Sequence, residues 1–275
     1  MRSVLLVSLL AIGCSDTPTS RKPGAKPIDD SAPQEKLPAI AIPKPAKTDP
    51  DAESTLASLL LKHTNNNLAA LAAFKTCIVK RTGEMNAGGN TMLPTVCTDC
   101  IQWPDCFRAD WVMNNEPMMY LGFHGVRNWQ FAPKMDREFH LIDANLLPVV
   151  IADRDATLMT LMIPLIEASD RVAMPVPASE MAEGLKGVRV WVRDMAPMVL
   201  GIDAKSGLLS RVYFEKTEVG RTATWAFHLK DHKAVQGVQM PHRVTYSGGK
   251  QIGAEWTTIT YELPNSINVG LFDKP

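Results

Sequence analysis

A long series of alternating segments in the C-terminal part of the chain places the strongest constraint on its fold. In GVRVWVRDM, the valines at positions 188, 190 and 192 alternate with larger or charged side chains. MVLGID and LLSRVYFEK flank a glycine-ended turn, and three more alternating segments follow: TATWAFHLK, MPHRVTYSG and IGAEWTTITYEL. Strand side chains point alternately to two faces, and such turns join antiparallel neighbours. The pattern therefore predicts one large, curved antiparallel sheet or a barrel.

A helix and further strands are predicted ahead of this region. Apolar residues recur at three-and-four spacing between residues 51 and 74, which is typical of an amphipathic helix. Four segments of strand-like composition follow: TCIVKRTGEM, CFRADWVM, PMMYLGFHG and RNWQFAP. In CFRADWVM, apolar side chains occupy one face, and Arg108 and Asp110 occupy the other. The predicted fold class is α+β, mainly β.

The segment between residues 145 and 169 has a different character. It is rich in leucine, isoleucine and methionine, carries few charges and has helical spacing. Because methionine adapts to irregular apolar surfaces, one interpretation is a mobile helical lid over an apolar cavity. The other interpretation is ordinary core packing, which the same composition allows.

Residues 1–14 have the form of a bacterial lipoprotein signal. Arg2 supplies a positive charge, and VLLVSLLAIG is an apolar run too short to span a bilayer. The run ends in AIGC, which resembles a lipobox, in which the cysteine is acylated, for example with palmitate. Cys14 is therefore the predicted lipid anchor of a protein that faces the periplasm, and Ser15 favours the outer membrane. The alternative is a cytosolic start followed by a buried strand.

Residues 15–50 are predicted to form a disordered tether. Eight of them are proline, none is aromatic, and charges of both signs are scattered through the segment. Such a composition cannot bury enough apolar surface to offset the entropy of ordering. The predicted organisation is a signal at 1–14, a tether at 15–50 and one folded domain at 51–275, which is long enough for a substantial core.

Composition and motifs argue against several classes of function. The chain has 29 basic and 29 acidic side chains, so no basic excess indicates a nucleic-acid partner. It contains no Gly-x-Ser-x-Gly motif and no phosphate loop, and its six histidines follow no metal-binding spacing. We therefore expect no cofactor, no metal and no catalytic residues, and we do not expect an enzyme.

Four cysteines remain once Cys14 is set aside as the anchor: Cys77, Cys97, Cys100 and Cys106. In an oxidising periplasm an even number predicts two disulfides, and the sequence allows three pairings. Three of the four lie in PTVCTDCIQWPDCF, so a loop stapled to the strand at Cys77 is expected. Two alternatives stay open, namely a zinc site built on Cys-x-x-Cys and a redox pair of Cys97 with Cys100.

The order of these features resembles the LolA-like and LolB-like fold family of periplasmic lipoprotein carriers and outer-membrane receptors. A helix leads into the first strand between Leu56 and Lys80, and FRADWVM…MMYLGFHGVRNWQF is similar to a family pattern with a glycine turn before a tryptophan. MVLGIDAKSGLLSRVYF is similar to the family's paired strands around an Asp-x-x-x-Gly-Leu-Leu hairpin. The last forty or so residues, from VQGVQMPHRV to LFDKP, are similar to its final strands and x-Phe-x-x-Pro tail.

The resemblance implies an open, incomplete antiparallel β-barrel wrapped around an N-terminal helix and a Leu- and Met-rich helical lid. It also implies an apolar cavity that accepts acyl chains, and no catalytic residues. Large apolar side chains could form the wall and the cover of such a cavity: Trp111, Met113, Met118, Tyr120, Phe123, Trp129 and Phe131 in the wall, and Leu158, Met159, Leu161, Met162 and Ile163 in the cover. The alternative is that all of them are ordinary core residues.

The predicted function is a membrane-anchored lipoprotein of the cell envelope that binds a lipid or an acyl chain. It would act as a carrier or receptor of lipid or of another lipoprotein, without catalysis. The alternative is a structural or sensory module of the envelope, with a filled core, whose partner is another protein. Binding to nucleic acid is not expected.

Overall fold

A computed structural model describes residues 37–273, except 89, 90, 137, 168, 170, 219 and 250. The predicted signal, Cys14 and the first part of the predicted tether, up to residue 36, lie outside the described residues. Within the described part, two α-helices and twelve strands account for the regular structure, together with short 3-10 segments.

The elements are numbered in chain order. The helices are α1 (Pro50–His63) and α2 (Leu147–Thr160). The strands are β1 (Thr76–Asn86), β2 (Met92–Gln102), β3 (Cys106–Met113), β4 (Glu116–His124), β5 (Arg127–Phe131), β6 (Arg171–Val176), β7 (Leu185–Val192), β8 (Met198–Asp203), β9 (Leu209–Glu218), β10 (Arg221–Val235), β11 (Val238–Gly248) and β12 (Gln251–Glu262). The 3-10 segments are Leu68–Lys75, Ile163–Leu165, Ala178–Glu180 and Val269–Phe272.

The twelve strands form one antiparallel sheet. Their spatial order is β5-β4-β3-β2-β1-β12-β11-β10-β9-β8-β7-β6, so β1 pairs with β12 in the middle of the sheet. The two edge strands, β5 and β6, are consecutive in the chain and are joined by the segment that carries α2. The sheet is therefore not closed. This confirms the predicted class, an α+β and mainly β fold built on an open, incomplete antiparallel barrel.

The two faces of the sheet have different coverings. Both helices and the largest apolar cluster lie against one face, which we call the inner face. The alternation in β9 illustrates the division, since Val212 and Phe214 belong to this inner cluster while Tyr213 belongs to a smaller cluster on the opposite, outer face. This is the arrangement that the period-two pattern predicts for a sheet covered on both sides.

The outer face is covered by both ends of the described chain. Ile40, within the segment predicted as a tether, is buried against Val199 and Tyr213, and the Arg189 guanidinium donates a hydrogen bond to the Ala39 carbonyl. At the other end, Phe272 is fully buried in a cluster that includes Cys100 and Cys106. Apolar side chains of the outer face are thereby removed from water without forming part of the inner core.

Candidate functional site

The structure divides the side chains that were predicted to line a cavity. Seven of them pack within or against the inner cluster: Trp111, Met113, Met118, Phe123, Leu158, Met159 and Met162. Leu161 and Ile163 are buried in the same cluster. These residues come from β3, β4, α2 and the turn that follows α2, so the inner face brings the predicted cover and part of the predicted wall together.

The other three predicted wall residues, Tyr120, Trp129 and Phe131, lie on the outer face. Tyr120 is paired with Phe131 across β4 and β5, and their rings stack with centroids 6.3 Å apart. The Trp129 indole N–H donates to the Phe272 carbonyl over 2.6 Å. Their strand positions put them on the face of Arg108, whose guanidinium carbon lies 5.7 Å and 5.8 Å from the Tyr120 and Trp129 ring centroids.

Helix α2 fills the space in front of the inner face. It packs mainly against β9, and its residues are buried on nearly all sides, including Val149, Ala156 and Met159. The cavity that remains beneath its C-terminal end has a volume of about 20 Å³, which is close to the size of one water molecule. A pocket for a lipid-sized ligand is typically about 300–1,000 Å³. The inner face is therefore closed in this conformation.

A buried ion pair lies at this small cavity. The Arg81 guanidinium donates to the Asp99 carboxylate, and Thr157 of α2 and Leu161 of the following turn also line the cavity. The Cys97 thiol donates to Asp99 Oδ1 over 3.4 Å. Burial raises the pKa of Asp99, and the adjacent Arg81 partly offsets this rise. Burial likewise raises the pKa of Cys97, so its thiol stays protonated at neutral pH.

Two nitrogen donors near this pair have no hydrogen-bond partner among the residues that the structure describes. They are Arg81 Nε and the Trp111 indole Nε1, both of which are buried on the inner face. An unpaired buried donor costs about 1–3 kcal/mol, so native interiors contain few of them. The inner face thus combines a broad apolar surface with a few polar groups, as ligand-binding surfaces do.

A second charged group ties α2 to the sheet near the N-terminal half of the helix. Lys216 of β9 is only 3% exposed, and its ammonium donates to Asp153 Oδ2 of α2 over 3.2 Å and to the Tyr246 hydroxyl over 2.5 Å. The Tyr246 hydroxyl in turn donates to Asp153 Oδ1 over 2.9 Å. The ammonium also lies 4.5 Å from the Trp225 ring centroid and 5.2 Å from that of Tyr246.

Two glycines allow these aromatic rings to lie flat on the sheet. A Cβ atom at Gly248 would stand 2.6 Å from the Trp225 ring, and one at Gly253 would stand 2.6 Å from the Tyr246 ring. Either atom would displace the ring above it. The Trp225 and Tyr246 rings consequently stack with centroids 4.7 Å apart and form an aromatic floor beside the ammonium.

The prediction of two disulfides is corrected by the structure, in which Cys77, Cys97, Cys100 and Cys106 are free thiols. Cys77 and Cys97 share the inner face, but Cys77 is paired with Ile101 and is therefore four positions away from Cys97 along β2. Cys100 and Cys106 share the outer face as diagonal neighbours, because Cys100 is paired with Arg108. Diagonal pairs lie about 7–8 Å apart, beyond the usual reach of a disulfide.

The zinc alternative fails for the same geometric reason, since the four thiols are split between two faces of the sheet. Among the described residues, no group of three or more His, Cys, Asp and Glu side chains could hold a metal ion. In the same part of the chain, no helix has the length and apolar character needed to cross a membrane.

The sequence interpretation missed the polar residues that lie between the inner face and α2: Arg81, Asp99, Asp153, Lys216 and Tyr246. A usable signal was present. Lys216 continues the inner-facing positions of Val212 and Phe214, and Arg81 continues those of Cys77 and Val79. A charge at a core-facing strand position is rare unless it is paired. The alternation pattern therefore distinguishes Lys216 and Arg81 from ordinary core residues.

Comparison with known proteins agrees with this architecture. No protein-family model and no curated protein matches the sequence. Among solved structures, a LolA superfamily protein from Nitrosomonas europaea superposes with a TM-score of 0.51 at 12% identity, covering 81% of this chain and 97% of that one. An outer membrane lipoprotein-sorting protein domain from Vibrio parahaemolyticus gives 0.51 at 11% identity, with the same coverage of 81% and 97%. The chain therefore has the LolA-like fold that its sequence resembles.

Proposed function

We propose that this protein is a lipid-anchored carrier or receptor of the cell envelope, and that an acyl chain binds to its inner face when α2 moves away. The observation that carries the proposal is the position of α2. A single helix, outside the hydrogen-bonded sheet, occupies the apolar space that a ligand of this fold would need. Withdrawal of α2 would open that space without breaking any strand pairing.

Several features of α2 favour its displacement. Leu146 at its N-cap makes no side-chain capping hydrogen bond, and its first turn has no acidic residue and its last turn no basic one. Helices without such devices depend on tertiary packing for their stability. The segments on either side of α2 lead to the free edges of the sheet, so the helix is held by its side chains and by two flanking connections.

The names of the structural neighbours support the class of ligand, since one of them is a lipoprotein-sorting domain. In our proposal, Cys14 carries the anchor, the following segment holds the domain above the membrane, and the outer membrane is the site of attachment. The partner is a lipid or another lipoprotein, and the protein performs no catalysis.

Direct binding measurements test this proposal. The full chain with Cys14→Ser, which removes covalent acylation, is titrated with a fluorescent fatty acid. We expect saturable binding at one site. Ile259→Trp enlarges a sheet residue that lines the small cavity and stays on the inner face when α2 moves, so it should abolish or strongly weaken binding. Thr257→Trp is the matched control, because residue 257 is exposed on β12, and it should bind like the parent.

Absence of saturable binding in the parent protein would refute the proposal. So would equal binding by Ile259→Trp and Thr257→Trp, because the acyl chain would then lie outside the inner face. Circular dichroism of each variant shows whether the fold is retained.

A second candidate function, a filled module that binds another envelope protein, is favoured by one observation. Exposed apolar side chains cluster beside β5, where Leu141 is 77% exposed and Phe139 packs on Trp129 and Phe131. Capture of a stoichiometric protein partner that is lost on Leu141→Asp, together with no lipid binding, would favour this function over the first.

A further inference from the structure

Lys216 is an unusual residue for the inner face of this sheet. It continues the apolar side of β9, is almost fully buried, and lies over the aromatic floor of Trp225 and Tyr246. A buried ammonium is costly unless it is paired and hydrogen-bonded. Here Asp153 provides a carboxylate, and the Tyr246 hydroxyl accepts a second hydrogen bond from the ammonium.

The carboxylate that pairs with Lys216 belongs to the helix that the proposed function displaces. Asp153 lies on α2, whereas Lys216 and Tyr246 lie on the sheet. Movement of α2 therefore withdraws an anion from two fixed donors, the ammonium and the tyrosine hydroxyl. A ligand that supplies its own anion at this point would compensate for the withdrawal, and a neutral ligand would not.

We infer that Lys216 and Tyr246 bind the anionic group of the ligand, in the place that Asp153 holds in the closed conformation. The inference rests on the proposed function and specifies its ligand class: an acyl chain that carries a carboxylate or a phosphate. In the closed structure, the Asp153 carboxylate then occupies the position that the anionic group of the ligand would take.

The surroundings of the pair fit an anionic head with an apolar tail. The Asp153 side chain is 24% exposed, so the pair lies where the inner face reaches solvent. Phe227 and Phe214 continue the apolar surface inward from Tyr246, with ring centroids 5.0 Å and 6.3 Å from it. A head group at Lys216 would thus leave its chain lying along the apolar face that α2 covers.

Calorimetric titration of the full chain with Cys14→Ser tests the inference, with four probes below their micelle concentrations. Hexadecanoate and hexadecyl phosphate share a chain with neutral hexadecanol, and acetate has the charge without the chain. We expect both charged amphiphiles to bind at least about tenfold more tightly than hexadecanol, because hydrogen bonds to charged groups are the strong ones. Acetate should not bind measurably. The carboxylate and phosphate arms show which anion is preferred.

Two substitutions should act in opposite directions. Lys216→Met should reduce hexadecanoate affinity about tenfold, to the level of hexadecanol. Asp153→Asn should raise hexadecanoate affinity by several fold, because it removes the internal competitor for the same donors. Lys216→Arg keeps the charge and should keep the preference for anions. Lys230→Met removes the same charge from an exposed outer position and should change nothing.

The outcomes separate this inference from the function on which it rests. Equal affinity for hexadecanoate and hexadecanol, or a lower hexadecanoate affinity in Asp153→Asn, would overturn the inference and leave acyl binding intact. Failure of every amphiphile to bind would overturn both. If Lys216→Met does not fold, the Asp153→Asn result and the comparison of probes on the parent protein still decide the matter.

Discussion

The two α-helices of this domain are equally long, at 14 residues each, and both pack against the inner face, yet they are held in different ways. In α1, the Asp49 carboxylate caps the backbone N–H groups of Asp51 and Ala52, and Pro50 occupies the first turn. Acidic residues begin α1 and Lys62 lies in its last turn, which complements the helix dipole. Helix α2 shares only the first-turn proline, Pro148, and has no side-chain cap, no acidic residue in its first turn and no basic residue in its last turn.

The two helices also differ in how they are attached to the sheet, and α1 is again the more firmly held. His63 at the end of α1 donates from Nδ1 to the Gln239 carbonyl over 2.6 Å and accepts at Nε2 from the Leu209 N–H over 2.7 Å. These contacts join the helix to the backbone of two strands. The polar contacts of α2 are made between side chains, such as Asp153 with Lys216. This difference supports our proposal that α1 is a fixed part of the fold and that α2 is the cover that moves.

The largest expected effect follows from truncation of the core face of α1. Leu56→Ala removes a fully buried side chain from the inner cluster and should lower the free energy of unfolding by about 2–5 kcal/mol. Leu158→Ala in α2 should lower it by less, because a helix that can leave contributes less to global unfolding. Urea denaturation followed by circular dichroism measures both, and equal losses would argue that the two helices are equally integral.

The second-largest expected effect is a pH dependence of stability that arises from His63 in α1. Burial lowers the pKa of His63 to about 4, and its hydrogen bond to Gln239 only partly offsets this. Between about pH 6.5 and pH 4 the unfolded chain takes up a proton that the folded chain refuses, so stability falls as the pH falls through this window. At pH 5 the loss is about 2 kcal/mol.

A variant without the titrating group isolates this contribution. His63→Gln should be less stable than the parent at pH 7, but its stability should change less between pH 7 and pH 5. Thermal unfolding of both proteins at the two pH values provides the comparison. Parallel pH dependence in the parent and the variant would mean that His63 does not carry the effect.

A smaller effect is expected at the cap of α1. Asp49→Ala removes the acceptor of two backbone hydrogen bonds and should lower the free energy of unfolding by about 1 kcal/mol. Asp51→Ala, two residues later in the first turn and without that role, is the control and should cost less. Equal losses of unfolding free energy in Asp49→Ala and Asp51→Ala would weaken the contrast between α1 and α2, which has no side-chain cap.

The smallest effect is expected where α2 leads back to the sheet. Glu167 accepts hydrogen bonds from Lys75, over 2.9 Å, and from Arg193, which lower the pKa of its carboxyl. Because these side chains are about one-third exposed, Glu167→Gln should cost no more than about 1 kcal/mol in global stability. In Glu167→Gln, the backbone amides of α2 should instead exchange faster with solvent. Slower exchange of these amides would contradict a role for Glu167 in holding α2 against the sheet.

The sequence predicted most strands of the sheet because alternation is a local signal. The cysteine-rich segment that was expected to form a loop is instead β2, which pairs with β1 and β3. The sequence predicted the inner wall only in part, because alternation separates two faces without saying which is inside. Tyr120, Trp129 and Phe131 are as aromatic as an inner wall would be, yet they lie on the outer face, where Phe272 contacts Trp129 and Phe139 packs on Phe131. The contact of Phe272 with Trp129 joins distant parts of the chain, and no local pattern encodes it.

The charged contacts of α2 show a second limit of prediction from the sequence. Asp153 was part of a segment interpreted as a Leu- and Met-rich lid, and Lys216 was one charge among many in a strand. Their pairing depends on how α2 lies over β9, which the chain sequence does not state locally. The disulfide prediction failed for a similar reason, because an even number of cysteines says nothing about which strand positions lie opposite one another.

Hydrogen exchange on the full chain with Cys14→Ser, with and without hexadecanoate, shows which helix responds to the ligand. We expect hexadecanoate to change the exchange of α2 amides between Val149 and Thr160 and to leave the exchange of α1 amides unchanged. A ligand that binds and leaves both helices unchanged, or alters them together, would contradict the claim that α2 alone is the displaceable cover.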